Sequence, residues 1–212
     1  MIKVSDVIKE ILTRDQEASF CMSRGILNFS SYAREIHKEV KLLAKKEVEI
    51  QSVIVALSRM ARSKKDYSLE VPITIENMSV HTNLHALTYE KTIKNLENLQ
   101  KAYKKIPKET LSYFTITQSS TEITIIGEKS ITEIVEHVFS KIKPRGRYEN
   151  LAGVTVKLPP EHVDSANVIF TLIKKLAVRH INIIEAVSSL TELTFIIDKK
   201  DVSLALSQLT NT

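Results

Sequence analysis

The chain has 212 residues, 43% of them hydrophobic and 26% charged, enough to bury one large core or two to three small ones. No apolar run approaches the ~20 residues a bilayer-crossing helix needs, and Lys3, Asp6, Lys9 and Glu10 interrupt any apolar leader, so neither a membrane span nor a signal peptide is expected. The net charge is +5: residues 1–66 hold 13 Lys+Arg against 9 Asp+Glu and residues 67–212 hold 17 against 16, which places the basic excess in the first third, where a polyanion would be met.

The first third reads as helices. Val4, Val7, Ile8, Ile11 and Leu12 repeat at the i, i+3, i+4 spacing of one helix face. Asp15 suits the N-cap of a second helix and Gly25 its C′ position. Ser30 or Ser31 is the expected N-cap of a third helix burying Ala33, Ile36, Val40 and Leu43, and a fourth buries Ile50, Val53, Ile54 and Leu57. Cys21, the single cysteine, lies beside Phe20 and Met22 and reads as core. It excludes an internal disulfide and fits a reducing, cytoplasmic setting.

Beyond the polar joint at Ser63-Lys64-Lys65-Asp66 the pattern becomes α+β. Strands are expected at 69–75, 111–117 and 122–126, and helices at 88–105 and 131–139. A Pro/Gly-bearing basic linker follows, Lys143-Pro144-Arg145-Gly146-Arg147. The order then recurs, with strands at 153–158, 181–187 and 193–198 and helices at 161–177 and 202–209. The helix at 161–177 is expected to bury Val163, Ala166, Ile169, Phe170, Ile173 and Leu176 or Ala177. Ser119, Thr121, Glu122, Thr124 and Ile126 stand 70 residues before Ser189, Thr191, Glu192, Thr194 and Ile196, so the recurrence extends to identity. The first copy is expected to differ by an insertion over 76–87. The domains implied are 1–65, 66–143 and 150–212.

The run over 170–198 resembles the ACT domain, in the version carried at the C-terminus of aspartate kinases. The resemblance rests on a helix ending before Ile181-Asn182-Ile183 and on Ser188-Ser189 leading into Thr191-Glu192-Leu193-Thr194-Phe195-Ile196, with the acidic-led 201–209 as second helix. It implies two ferredoxin-like modules, side-by-side sheet pairing into a homo-oligomer, and an effector, an amino acid being the suspect. By resemblance the effector residues are Asp164, Ser165, Asn182, Ser188 and Ser189. The loop before the helix, Leu158-Pro159-Pro160-Glu161-His162-Val163-Asp164-Ser165, lacks the glycine usual where such modules hold amino acids. The final strand of the βαββαβ order is also missing from the pattern.

Residues 25–36 and 47–59 resemble the helix-turn-helix regions of microbial regulators. On that resemblance Gln51, Ser52, Val55, Ser58, Arg59 and Arg62 form the outer face of a recognition helix, with Lys64 and Lys65 on backbone phosphate and duplex DNA as partner. A solvated polar face on a structural helix accounts for the same residues.

No catalytic constellation, phosphate-cradling glycine loop or cofactor motif is evident. His81 and His85 have i, i+4 spacing without the glutamate or third ligand of a zinc site, so no metal and no cofactor is expected. The expectation is a regulatory protein without catalytic activity. It is either a transcriptional regulator with ACT-like effector modules or a subunit that acts by protein contact on an amino-acid biosynthetic enzyme. A structural oligomerisation module without effector is the third possibility.

Overall fold

Apolar side chains at helical spacing draw four helices together in the first part of the chain. These are α1 (Val4–Arg14), α2 (Gln16–Ser23), α3 (Phe29–Ala44) and α4 (Ile50–Arg62). The computed structural model describes residues 2–63, 69–107 and 113–210, and the chain divides into two units, Met1–Val71 and Pro72–Thr212. The core of the first unit is built from Ile8, Leu12, Ala33, Val40, Val53 and Leu57, all fully enclosed.

Capping is local chemistry. Asp15 Oδ1 accepts from the Ala18 amide at 2.9 Å and so starts α2, while Asp15 Oδ2 accepts from the Tyr32 hydroxyl at 3.0 Å. Gly25 adopts φ 70°, the left-handed geometry that follows a helix end. The cap of α3 is Asn28, whose Oδ1 accepts from the Ser31 amide. Ser30 and Ser31, the expected caps, lie inside the first turn because the side-chain oxygen two residues earlier reaches the free amides.

The second unit is a six-stranded antiparallel sheet carrying four helices. In chain order it holds β1 (Asn77–Glu90), α5 (Ile93–Lys105), β2 (Phe114–Gln118), β3 (Glu122–Glu128) and α6 (Lys129–Val138). Then follow β4 (Gly146–Lys157), α7 (Val168–Ala177), β5 (Ile183–Ser188), β6 (Glu192–Asp198) and α8 (Val202–Thr210). The strand order is β2-β3-β1-β4-β6-β5, which reads as two βαββα halves joined through β1 and β4.

The register makes the two halves counterparts. Leu84 lies opposite Glu128 and Leu151 opposite Asp198. Glu128 and Asp198 are 70 residues apart and Leu84 and Leu151 are 67 apart, so the opening strands align three residues short of the β3/β6 offset. Across the β1–β4 seam Leu84 pairs with Leu151 itself. Matched strands that pair antiparallel about matched residues imply an approximate twofold axis perpendicular to the sheet, which puts the helices of both halves on one face.

Each seam strand has a break beside that axis. Asn83 (φ 58°) and Asn150 (φ 56°) occupy the same position in the two copies, and both take the left-handed backbone that asparagine tolerates. The register shifts on either side, from His81/Gly153 to Leu84/Leu151 and on to Ala86/Tyr148.

One face of the first half packs Leu87, Tyr89, Ile123 and Ile125 against Leu99, Ala102, Val135 and Phe139 of the helices. The opposite face has a smaller cluster drawn from both halves: Leu84, Ala86, Ile126, Leu151 and Ile196, flanked by Tyr113 and Ile184. Thr88 meets Thr124 at 3.1 Å between hydroxyls, and its counterpart pair, Thr155 and Thr194, meets at 2.8 Å in a buried setting.

Four expectations from sequence are corrected. The first strand is β1, not 69–75, so the residues read as an insertion are the strand itself. Its outer part is exposed and polar, and pairing with β4 rather than apolar alternation holds it extended. The helix expected from residue 88 starts at Ile93, because β1 runs to Glu90 and Thr92 caps the helix by accepting from the Asn95 amide. β4 begins at Gly146, seven residues early, and takes in part of the expected linker. Arg145 and Arg147 there are neutralised by Glu90 at 2.8 Å and by Glu149 at 2.8 Å. The helix expected over 161–177 is a 3₁₀ turn, Pro160–His162, followed by α7.

α7 also turns a different face inward. Leu176 is buried as expected, but with Val168, Thr171 and Leu172 beside it, while Ile169, Phe170 and Ile173 are exposed. With apolar residues on almost every side of this helix, periodicity alone could not choose its phase. The helix starts after the left-handed Asn167 (φ 68°), and packing against the sheet decides which face is buried.

Among the described residues no helix is long and apolar enough to cross a membrane, and no group of three or more His, Cys, Asp or Glu is placed to hold a metal ion. His81 and His85 both lie on β1, where i, i+4 spacing does not make the adjacent pair a helix would, and His81 stacks on Tyr113 with ring centroids 5.0 Å apart.

Candidate functional site

The two halves differ most between their first strand and first helix. In the first half only Lys91 and Thr92 separate β1 from α5. The Lys91 amide donates to the Thr121 carbonyl at 2.8 Å, its ammonium donates to the Ser119 carbonyl at 2.9 Å, and Asn95 Nδ2 donates to the Glu90 carbonyl at 2.8 Å. Helix and hairpin are thereby drawn together.

In the second half residues 158–167 intervene. Leu158 repeats the anchoring bond, its amide donating to the Thr191 carbonyl at 2.8 Å. Pro159 and Pro160 then lift the chain off the sheet, since each fixes φ and Pro160 offers no amide to continue the ladder. The 3₁₀ turn closes with His162 N to Pro159 O at 3.0 Å and Val163 N to Pro160 O at 3.0 Å.

The loop leaves a cleft of about 290 Å³ between itself, the start of α7 and the β5–β6 hairpin. That is close to the lower bound of ligand pockets, ~300 Å³. Leu158, Val163, Val168, Ile169, Leu190 and Leu193 supply its apolar wall, and His162, Ser165, Ser188, Ser189, Thr191 and Glu192 its polar groups. The hairpin is shaped by Ser189 N donating to Glu192 O at 2.9 Å, a bond repeated in the first half from Ser119 to Glu122. Ser165 Oγ donates to Glu161 O and Ser188 Oγ to Ser189 O, both at 3.0 Å, which leaves each hydroxyl oxygen with acceptor capacity. His162 Nε2 accepts the Thr74 amide at 3.1 Å.

Of the expected effector residues, Ser165, Ser188 and Ser189 come together in this cleft. Asp164 is exposed in the same loop but outside the lining, and it caps no helix, because α7 begins at Val168. Asn182 precedes β5 whereas Ser188 ends it, so a strand of six residues, on the order of 20 Å, separates them. Sequence reading missed His162, Leu190, Thr191 and Glu192. The usable signal was the ten residues between β4 and α7 where the first copy has two, hidden because the first strand had been placed too early.

On α4, Gln51, Ser52, Val55, Arg59 and Arg62 are exposed and Ser58 is half-buried, while Val53 and Leu57 face the core. Lys64 and Lys65 lie outside the described residues.

No family model matches the sequence, and no curated protein matches it. Solved structures do. The chain is similar to the regulatory subunit of aspartate kinase from Thermus thermophilus in its ligand-free form (12% identity, TM-score 0.51), over 64% of this chain and 95% of that one. It is similar to the aspartate kinase of Clostridium acetobutylicum (14% identity, TM-score 0.53), over 67% of this chain and 36% of that one. The aspartate kinase of Synechocystis gives 15% identity and a TM-score of 0.52, over 68% of this chain and 28% of that one. The chain thus spans about a third of the whole kinases and nearly all of the regulatory subunit. At these identities the likeness is one of fold, and that fold is the ACT type found in aspartate kinase regulatory domains.

Proposed function

We propose that this chain is a small-molecule-sensing regulatory protein that binds an amino acid in the 158–167 cleft and acts by protein contact on an enzyme of amino-acid biosynthesis. The observation that carries the reading is the asymmetry between matched halves. Where the first half draws helix and hairpin together through Lys91, the second opens an apolar cleft with convergent hydroxyls. Serine and threonine oxygens suit an ammonium, backbone amides of the hairpin suit a carboxylate, and the leucine and valine wall suits an aliphatic side chain. The shared fold with an aspartate kinase regulatory subunit supports the choice of partner, with an aspartate kinase catalytic chain the first candidate. The sheet ends in two edge strands, β2 and β5, and pairing of copies through such edges is part of the proposal.

A thermal-shift series with single amino acids tests this. A ligand at about 100 times its Kd adds roughly 2.7 kcal/mol by mass action, a shift easily read. At least one amino acid is expected to raise the melting temperature of the wild type and not of Ser189→Trp, which fills the cleft. Flat responses to every amino acid would remove the effector from the proposal.

A second reading keeps α4 as a recognition helix, favoured by the shared exposure of Gln51, Ser52, Val55, Arg59 and Arg62. It ranks lower because the solved structures named above are aspartate kinases and a regulatory subunit of one. Duplex binding whose affinity falls steeply with salt would restore it, and absence of binding at low salt would end it.

A further inference from the structure

Tyr89 stands near the end of β1, on the helix-bearing face, with its ring on that of Phe139 at 4.2 Å between centroids. Only 1% of it is exposed, and its hydroxyl makes no hydrogen bond among the described residues. The fully enclosed side-chain oxygens without a partner there are Ser19 Oγ and Tyr113 Oη. Tyr89 Oη is not one of them, so the small part of Tyr89 that stays open includes its phenol oxygen. The fold does not call for a phenol at this place. Five residues beyond the matched Leu84 and Leu151 stand Tyr89 in one half and the fully buried Val156 in the other.

The oxygen opens onto a cleft of about 380 Å³ between the end of β1 and the turn that follows α6. Ile142 N donates to Phe139 O at 2.6 Å to close that turn, and Arg145 N brings the chain back to β1 by donating to Thr88 O at 2.7 Å. Ile142 and Pro144 line the cleft with apolar surface, and Ser140, Lys141 and Lys143 line it with donors. Neither lysine makes an ion pair among the described residues, and the Ser140 hydroxyl makes no hydrogen bond there. Glu136 lines the cleft too, but Arg147 holds its carboxylate at 2.5 Å. Burial, with Glu136 adding to it, pushes the Tyr89 phenol up to about 12, so at neutral pH the hydroxyl keeps its proton and donates. A phenol, a serine hydroxyl and two ammonium groups suit an anionic acceptor, and the nearby Glu136 charge weighs against a second charge on it.

We propose that this cleft binds a small aliphatic monocarboxylate, with its carboxylate between Tyr89 Oη and the two lysines and its alkyl body on Ile142 and Pro144. The site is separate from the cleft at 158–167 and does not depend on the reading given to that one.

Isobutyrate is the probe, with isobutyramide as its neutral counterpart and sulfate as a doubly charged anion. The full chain carries carbon-13 at the tyrosine Cζ positions, and the Tyr89 signal is the one lost in Tyr89→Phe. Isobutyrate should move that signal saturably, and isobutyramide and sulfate should bind at least about tenfold more weakly. Read from the amide shifts of Ser140 and Ile142, isobutyrate affinity should fall about tenfold in Tyr89→Phe, the scale of one hydrogen bond to a charged group. Lys141→Met and Lys143→Met should each weaken it about threefold, as expected of exposed charges. Ser140→Trp, at an exposed position on the mouth, should abolish binding and serves if Tyr89→Phe does not fold. Ser189→Trp, in the other cleft, should leave it unchanged. Undiminished binding in Tyr89→Phe or in Ser140→Trp would overturn the proposal. So would amide or sulfate binding as tight as that of isobutyrate, loss of binding in Ser189→Trp, or a Tyr89 signal that isobutyrate leaves unmoved.

Discussion

Leu84 and Leu151 are counterparts in the two halves of the sheet and also each other's partners across the β1–β4 seam. Both are buried in the cluster that the halves share. A single contact thus serves as the centre of an internal twofold, and Asn83 and Asn150 bend both strands beside it.

Truncating either leucine should therefore cost the same. Leu84→Ala and Leu151→Ala are each expected to lose about 2–5 kcal/mol in urea unfolding. The double variant should lose less than the sum, because both side chains line one cavity. A difference beyond about 2 kcal/mol between the singles would argue against the seam symmetry.

Asn83→Gly and Asn150→Gly should be close to neutral, since glycine accepts the left-handed backbone. Asn83→Val and Asn150→Val should each lose about 1–2 kcal/mol for forcing a β-branched residue there. Equal penalties at the two sites, read by thermal unfolding, are the expected result.

The hydroxyls of Thr155 and Thr194 are enclosed and 2.8 Å apart. Thr155→Val should destabilise by about 1 kcal/mol, and the cycle with Thr194→Val should show coupling of about 0.5–1.5 kcal/mol. The half-buried pair Thr88 and Thr124 should couple more weakly, because water replaces its bond. Equal coupling in the two pairs would contradict the burial difference.

Burial pushes the Tyr89 phenol up from 10.0 to about 12, with the Glu136 carboxylate adding to it. Tyr32 is raised by burial and by its bond to Asp15, and Tyr113 by burial. A raised folded value means the native state holds the proton more tightly. The contribution is therefore complete below pH 10 and falls away as pH rises from 10 towards about 12. Tyr89→Phe should flatten the loss of stability across that window, read from unfolding free energy against pH. Phenolate absorbance in the wild type should show the buried groups titrating late.

How much was legible in the chain depended on whether the signal was local. The helices of the first unit were readable because Val7, Ile8, Ile11 and Leu12 carry a clean one-sided stripe. The β3 and β6 strands were readable because identity recurs at a fixed offset. β1 was not, since Asn77 to Thr82 carry little apolar alternation and are held by β4, a partner some 70 residues away in sequence. The cleft shared that fate. Ser165, Ser188 and Ser189 were picked out, yet His162 and Leu190 became visible only once the ten-residue loop could be measured against the two-residue turn of the other half.

The amino-acid sequence by itself determined the class of the molecule: a helical unit followed by an α+β unit, because periodicity and capping side chains act over a few residues. Tertiary structure alone decided that Leu84 meets its own counterpart, that α7 turns Val168 and Leu172 inward rather than Ile169 and Phe170, and that a loop stands open in one half and closed in the other. Those outcomes depend on strand register and helix phase, which are set by which distant surfaces bury the most apolar area together.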